Sequence, residues 1–143
     1  MTQFHARTVA FIGLGLISGS LARALRASSW SGTLTAWGPR EASLQRGLEL
    51  GVIDHYSLDI SEVLAAADMV VVGAPPAATG EMLRTVVDAL TSLNRSPTVT
   101  DLASIKGHVV DAMAHDYANF VPGHPIAGSE HSGVAFADAA LFR

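Results

Sequence analysis

Three stretches of the chain hold residue types whose spacing could do chemistry. The first is Gly-Leu-Gly-Leu-Ile-Ser-Gly-Ser at residues 13–20. In such a run Gly13 permits a tight turn and Gly15 lets backbone approach a pyrophosphate. The N–H groups of Leu16, Ile17 and Ser18 at a helix start can then donate to phosphate oxygens. The third position of the glycine pattern is Ser18, with Gly19 beside it, and a small residue there still lets the helix pack closely on a strand. The second stretch, residues 101–107, carries Asp101, Ser104 and Lys106; the third, residues 123–133, carries His124, Glu130 and His131. Taking a proton from a hydroxyl near neutral pH suits an imidazole. Singly, these residues have plainer readings. A histidine before proline is more often a turn residue, Ser104 would cap a helix, and Glu130 would be a solvated loop charge.

Those stretches need elements to hold them. Residues 8–12 (Thr-Val-Ala-Phe-Ile) form a continuous apolar run, the pattern of a strand buried on both faces. After the glycine turn a helix is expected over residues 16–27, then a strand over 33–37. A helix over 41–50 follows, with Leu44, Leu48 and Leu50 as packing positions and Gly51 as its stop. Ser61 is the expected N-cap of a short helix over 62–67. Met-Val-Val-Val at 69–72 is the next buried strand, closed by Gly73-Ala74-Pro75-Pro76. A helix over 79–90 places Met82, Val86 and Leu90 at four-residue spacing. Residues 98–101 form a short strand, Ser104 caps a helix to about His115, and residues 120–121 form a further strand. Strands alternate with helices throughout, which predicts an α/β fold: a Rossmann-type, doubly wound, mostly parallel sheet with helices on both faces.

The exits of those strands bear on which dinucleotide would bind. The second strand ends Thr35-Ala36-Trp37-Gly38-Pro39-Arg40. No carboxylate stands where NAD-preferring proteins hold the adenosine ribose, and Arg40 follows closely. A carboxylate would repel a 2′-phosphate and a guanidinium would bind it, so NADP is expected to bind at least as well as NAD. Two readings run against this. Arg40 could be merely a solvated residue at a helix start, and Glu41 could supply the ribose contact. The expected NAD(P) contacts are Gly13, Gly15, Leu16, Ile17, Ser18 and Arg40, with Pro75 at the exit of the 69–72 strand.

Composition narrows the field further. The chain has 143 residues, 49% hydrophobic and 15% charged, which predicts one folded domain with a substantial core. It has no cysteine, so disulfide frameworks and thiol chemistry are out of reach, consistent with a reducing cytoplasm. With a net charge of -4 and Lys106 as its sole lysine, it offers no basic stripe for nucleic acid. The uncharged run from Thr8 to Ala22 superficially resembles a signal peptide, but its glycines and serines, followed by Arg23 and Arg26, suit strand, turn and helix better. It is also too short to span a membrane. His5, His55, His108, His115 and His131 are expected on the surface or on helices. His108 and His115 could share a helix face, but with no third ligand a metal site is not expected.

Taken together and in order, the glycine turn extended to Ala22, the Asp101–Gly107 segment and the His-Pro-Ile-Ala-Gly-Ser-Glu segment at 124–130 resemble the prephenate and arogenate dehydrogenase family of tyrosine biosynthesis. The trailing Ala140-Leu141-Phe142 fits as well, and the histidine segment is the most specific of the matches. The resemblance implies NAD(P)-dependent oxidative decarboxylation. Hydride leaves the carbinol carbon of a cyclohexadienyl ring for the nicotinamide, the ring hydroxyl loses its proton, and carbon dioxide departs as the ring aromatises. The product would be 4-hydroxyphenylpyruvate from prephenate or tyrosine from arogenate. By position in the family motif, His124 would be the base, Ser104 would orient it and the substrate, Glu130 would shape the substrate pocket, and Lys106 would support its loop.

The resemblance also implies a further strand and a mostly helical second domain, bringing a homodimer interface and basic groups for the substrate carboxylates. Neither is contained in residues 1–143. These residues are accordingly expected to be the cofactor domain, binding dinucleotide better than they turn over substrate. Two rival readings remain: another NADP-dependent reductase of related fold, against which the His124-Pro125 segment argues, and a non-catalytic nucleotide-binding module.

Overall fold

A computed structural model describes residues 5–102, 116–123 and 134. Its centre is the apolar run at residues 8–12. Strand β1 (Thr8–Ile12) is flanked on one side by β2 (Thr33–Trp37) and β3 (His55–Tyr56), and on the other by β4 (Met69–Val72), β5 (Thr98–Asp101) and β6 (Phe120–Val121). The order is β3-β2-β1-β4-β5-β6 and every pairing is parallel. This is the doubly wound arrangement, with its direction of winding reversing between β1 and β4.

Alternate residues of the central strands serve opposite faces. Val9, Phe11 and Val71 join Leu14, Ala22, Leu34, Leu44, Ile53 and Val134 in one core. Ala10, Ile12, Val70 and Val72 join Val63, Leu64, Leu83, Val86 and Leu90 in the other. The first core lies under α1 (Leu16–Ala27) and α2 (Glu41–Glu49), the second under α3 (Ile60–Ala65) and α4 (Thr79–Ser92). Covered on both sides, strands need no polar face, and that is why they read as unbroken apolar runs.

Several expectations need correcting. The short helix begins earlier than predicted, because Asp59 rather than Ser61 is its N-cap: the Ser61 N–H donates to Asp59 Oδ1 at 3.0 Å. A carboxylate is a good acceptor for a first-turn N–H, and starting there buries Val63 and Leu64. Asp59→Ala is expected to cost about 1 kcal/mol of stability, read from a urea denaturation midpoint. On α2, Leu44 is buried but Leu48 is 42% exposed; Gly47 takes the sheet-facing position instead. The two-residue β3 was not anticipated, and it carries the exposed His55. Too short to show a period, it forms because the chain leaving α2 runs alongside β2, where Asp54 Oδ2 accepts both the Leu34 N–H at 2.8 Å and Arg26 Nη2 at 2.5 Å. α4 also outlasts its predicted end by two residues, reaching Ser92, and opens from a 3₁₀ turn, Pro76–Ala78.

Candidate functional site

At the C-terminal edge of the sheet the exits of four strands are stitched to one another. Gly13 N–H donates to Trp37 O (2.7 Å), Gly73 N–H to Ile12 O (2.9 Å), and Leu102 N–H to Val72 O (3.0 Å). Between them lies a cleft of about 410 Å³. Residues after β1 (Leu14 to Ser18), after β2 (Gly38, Pro39, Arg40, with Ser43 and Leu44 of α2), after β4 (Gly73 to Pro75) and after β5 (Leu102) line it. Its position, straddling the switch between β1 and β4, is where an open α/β sheet places a ligand.

The glycine turn makes this geometry possible. Gly13 has φ +96°, a conformation costly for any residue with a side chain, and an added Cβ would lie 2.8 Å from the Gly73 carbonyl oxygen. Gly15 differs, for a Cβ there would meet nothing within 4 Å among the described residues: the space beside it is the cleft itself. Gly15 is also the N-cap of α1, with no side-chain acceptor and no acidic residue in the first turn. The start of α1 therefore brings its free N–H groups and the positive end of its dipole to a space open to solvent, which suits a phosphate. A dinucleotide's pyrophosphate fits these residues on that observation.

The serine in place of the third glycine has a structural explanation. Ser18 is buried, and its Oγ lies 2.2 Å from where a Cβ on Gly73 would be. The glycine missing from the helix has in effect been moved to the end of β4, and the missing side chain at Gly73 makes room for the hydroxymethyl of Ser18. Thr79, buried at the start of α4, holds the same loop by donating its hydroxyl to Pro75 O at 3.1 Å.

At the adenosine end, Arg40 is exposed at the cleft and makes no ion pair among the described residues. Glu41, the alternative ribose ligand, does not line the cleft; its Oε1 accepts the Tyr56 hydroxyl at 3.1 Å, towards β3.

Of the predicted contacts, Gly15, Leu16, Ile17, Ser18, Arg40 and Pro75 line the cleft, while Gly13 forms the turn beneath it. Sequence reasoning missed Leu14, Pro39, Ser43, Leu44, Gly73, Ala74 and Leu102 as lining residues. Ala74 and Leu102 could have been found from the rule that ligands gather at strand exits; Ser43, facing the cleft from within a helix, had no such signal. Ser104, Lys106, His124 and Glu130 lie outside the described residues, as do His108, His115 and His131. The strand ends that lead to two of them are described. Leu102 is on the cleft wall, and Gly123, immediately before His124, donates its N–H to Asp101 Oδ1 at 3.1 Å. No helix among the described residues is long and apolar enough to cross a membrane.

Comparison with known proteins is consistent across sequence and structure. The family profile described as prephenate dehydrogenase, nucleotide-binding domain, matches residues 21–143. A cyclohexadienyl dehydrogenase of Zymomonas mobilis is 32% identical over 145 aligned residues, covering 100% of this chain and 48% of that protein. A prephenate dehydrogenase of A. aeolicus, solved in complex with hydroxyphenyl propionate and NAD+, superposes with a TM-score of 0.87 at 30% identity, over 99% of this chain and 49% of that one. A Synechocystis arogenate dehydrogenase gives 0.81 at 26% identity, over 94% and 46%. The chain thus spans about half the length of each of these relatives.

Proposed function

The chain belongs to the prephenate dehydrogenase family, as its nucleotide-binding domain, and on that premise we propose that it binds NAD(P) for the oxidative decarboxylation of prephenate or arogenate in tyrosine biosynthesis. The observation that carries the dinucleotide part is the open space beside Gly15 at the bare N-terminus of α1. Gly15, Leu16, Ile17 and Ser18 hold the pyrophosphate through backbone N–H groups. Ala74 and Pro75, on the far wall of the same cleft, confine the dinucleotide from the β4 side. When bound, the nicotinamide supplies the hydride acceptor. His124 takes the proton of the ring hydroxyl, Ser104 orients that imidazole and the substrate, and Glu130 shapes the substrate pocket. As the hydride leaves and carbon dioxide departs the ring becomes aromatic, and the proton held on His124 returns to the phenolate oxygen of the product.

NADP binds at least as well as NAD in this reading. The support is Arg40 at the cleft, without an ion pair among the described residues, and the engagement of Glu41 with Tyr56. Arg40→Ala is expected to weaken NADP binding about tenfold or more, one charge-assisted contact being worth about 1.5–3 kcal/mol, with little change for NAD. Fluorescence titration with both dinucleotides measures this, and a clear wild-type preference for NAD would sink it. The reaction itself is tested by assaying the protein at its full natural length with both substrates and both dinucleotides, following reduced nicotinamide. Turnover of prephenate, arogenate or both is expected. Dinucleotide binding with turnover of neither would overturn the reaction and leave a nucleotide-binding module.

A further inference from the structure

Asp101 is a polar side chain where the sheet should be apolar. It ends β5, is 0% exposed, and is the sole fully buried acidic residue among those described. The register pairs Thr100 with Val121, so the next step along the ladder sets Asp101 opposite Pro122. Parallel ladder bonds slant to the neighbours of the opposite residue, as from Val99 N–H to Asn119 O, so the donor that faces Asp101 is Gly123 N–H. That N–H goes to the Asp101 carboxyl, at 3.1 Å. Gly123 also comes very close to β5: a Cβ on it would lie 2.2 Å from the Asp101 main-chain oxygen and 2.9 Å from Thr100 Oγ1. Two features of different kinds, a buried acceptor and an absent side chain, thus clamp the exit of β6 onto the exit of β5. The β5 exit is itself held to β4 by Leu102 N–H on Val72 O. The clamp sits one peptide bond before His124 and two residues before the Ala103-Ser104 step, beside the wall of the cleft formed by Leu102.

We propose that Asp101 is a positioning residue: by accepting the Gly123 N–H it fixes the strand end from which His124 departs, and with it the distance between the base and the cleft. The proposal rests on the reading of His124 as the base. A buried carboxyl is costly unless hydrogen-bonded, and an apolar residue would fill β5 at lower cost, so its presence points to a role in placing the chain beyond Gly123. Misplacing a catalytic group by about 1 Å can cost about 100-fold in rate, which is the scale of effect the clamp can control.

The test compares Asp101→Ala, which removes the acceptor, with Asp101→Asn, which keeps an oxygen in the same place. In Asp101→Ala, kcat is expected to fall about 10–100-fold with the dinucleotide Kd and the substrate KM nearly unchanged, and the His124 imidazole resonances, identified by their loss in His124→Asn, are expected to move. Asp101→Asn should restore most of kcat and the wild-type resonance positions. Should Asp101→Ala fail to fold, Gly123→Ala displaces the same strand end with the carboxyl intact and should show the same split. Equal losses in Ala and Asn, an effect confined to dinucleotide Kd, or unmoved His124 resonances would overturn the proposal. The resonances are read without substrate or dinucleotide, so they decide on the clamp even if the wild-type protein turns over neither substrate, an outcome that counts against the reaction alone.

Discussion

His124→Asn is expected to lower turnover of the cyclohexadienyl substrate by about 100- to 10,000-fold, the range for removing a general base, while the dinucleotide Kd stays within error of wild type. The separation comes from the layout of the molecule. The groups proposed for the pyrophosphate belong to the start of α1, which follows β1, and those proposed for the adenosine end to the exit of β2. β6, the strand that precedes His124 in the chain, is at the far edge of the sheet, with β4 and β5 between. Asparagine is close in size to histidine and keeps hydrogen-bonding capacity, but it cannot accept a proton near neutral pH, so the substitution removes basicity more than bulk. Single-turnover and steady-state rates with a parallel titration of dinucleotide check both halves. Unchanged turnover would remove His124 from the mechanism; a matching loss of dinucleotide affinity would mean that it acts through the cofactor.

Gly13→Val produces the opposite pattern, loss of binding through loss of the turn. A branched residue at φ +96° carries about 1–3 kcal/mol of backbone strain. Its Cβ would also meet the Gly73 carbonyl oxygen at 2.8 Å, and backbone held by its own hydrogen bond to Ile12 O cannot swing aside as a flexible side chain would. Forcing it costs a further 1–3 kcal/mol or so. A total of about 2–6 kcal/mol is a large share of the stability of a domain this size. Dinucleotide binding should fall below detection and the thermal midpoint should drop by several degrees, read by calorimetry with and without NADP. Gly15→Ala is the informative contrast: its Cβ meets nothing within 4 Å among the described residues, so stability should hold while affinity falls, because the added methyl enters the space proposed for the pyrophosphate. A Gly13→Val protein that still bound dinucleotide normally would contradict the role given to this turn.

The sheet itself was legible in the residues. β1 and β4 fall where the apolar runs place them, because a strand buried on both faces has no polar position to confuse its pattern, and β2, β5 and β6 also fall where expected. α1 runs from the glycine turn to Ala27, as expected. Weak local signals misled. Asp59 and Ser61 both cap well in principle, and only the packing of Val63 and Leu64 on the sheet selects Asp59. Leu48 reads as a core residue by type, yet α2 turns Gly47 to the sheet and leaves Leu48 in solvent.

By itself, the sequence determined the α/β class, the glycine turn at Gly13, the absence of cysteine chemistry and the order of the motif segments, since each depends on neighbours along the chain or on composition. Only the tertiary structure decided what crosses between elements. It showed that Gly73 makes the room Ser18 needs, that Glu41 is drawn to Tyr56 while Arg40 stays at the cleft, and that the Asp101 carboxyl takes up the N–H of Gly123 at the end of the β5–β6 ladder. Each of these joins residues far apart in the chain, brought within a few ångströms by the parallel register of the sheet. A one-dimensional pattern carries periodicity and local propensity, and it has no term for such meetings.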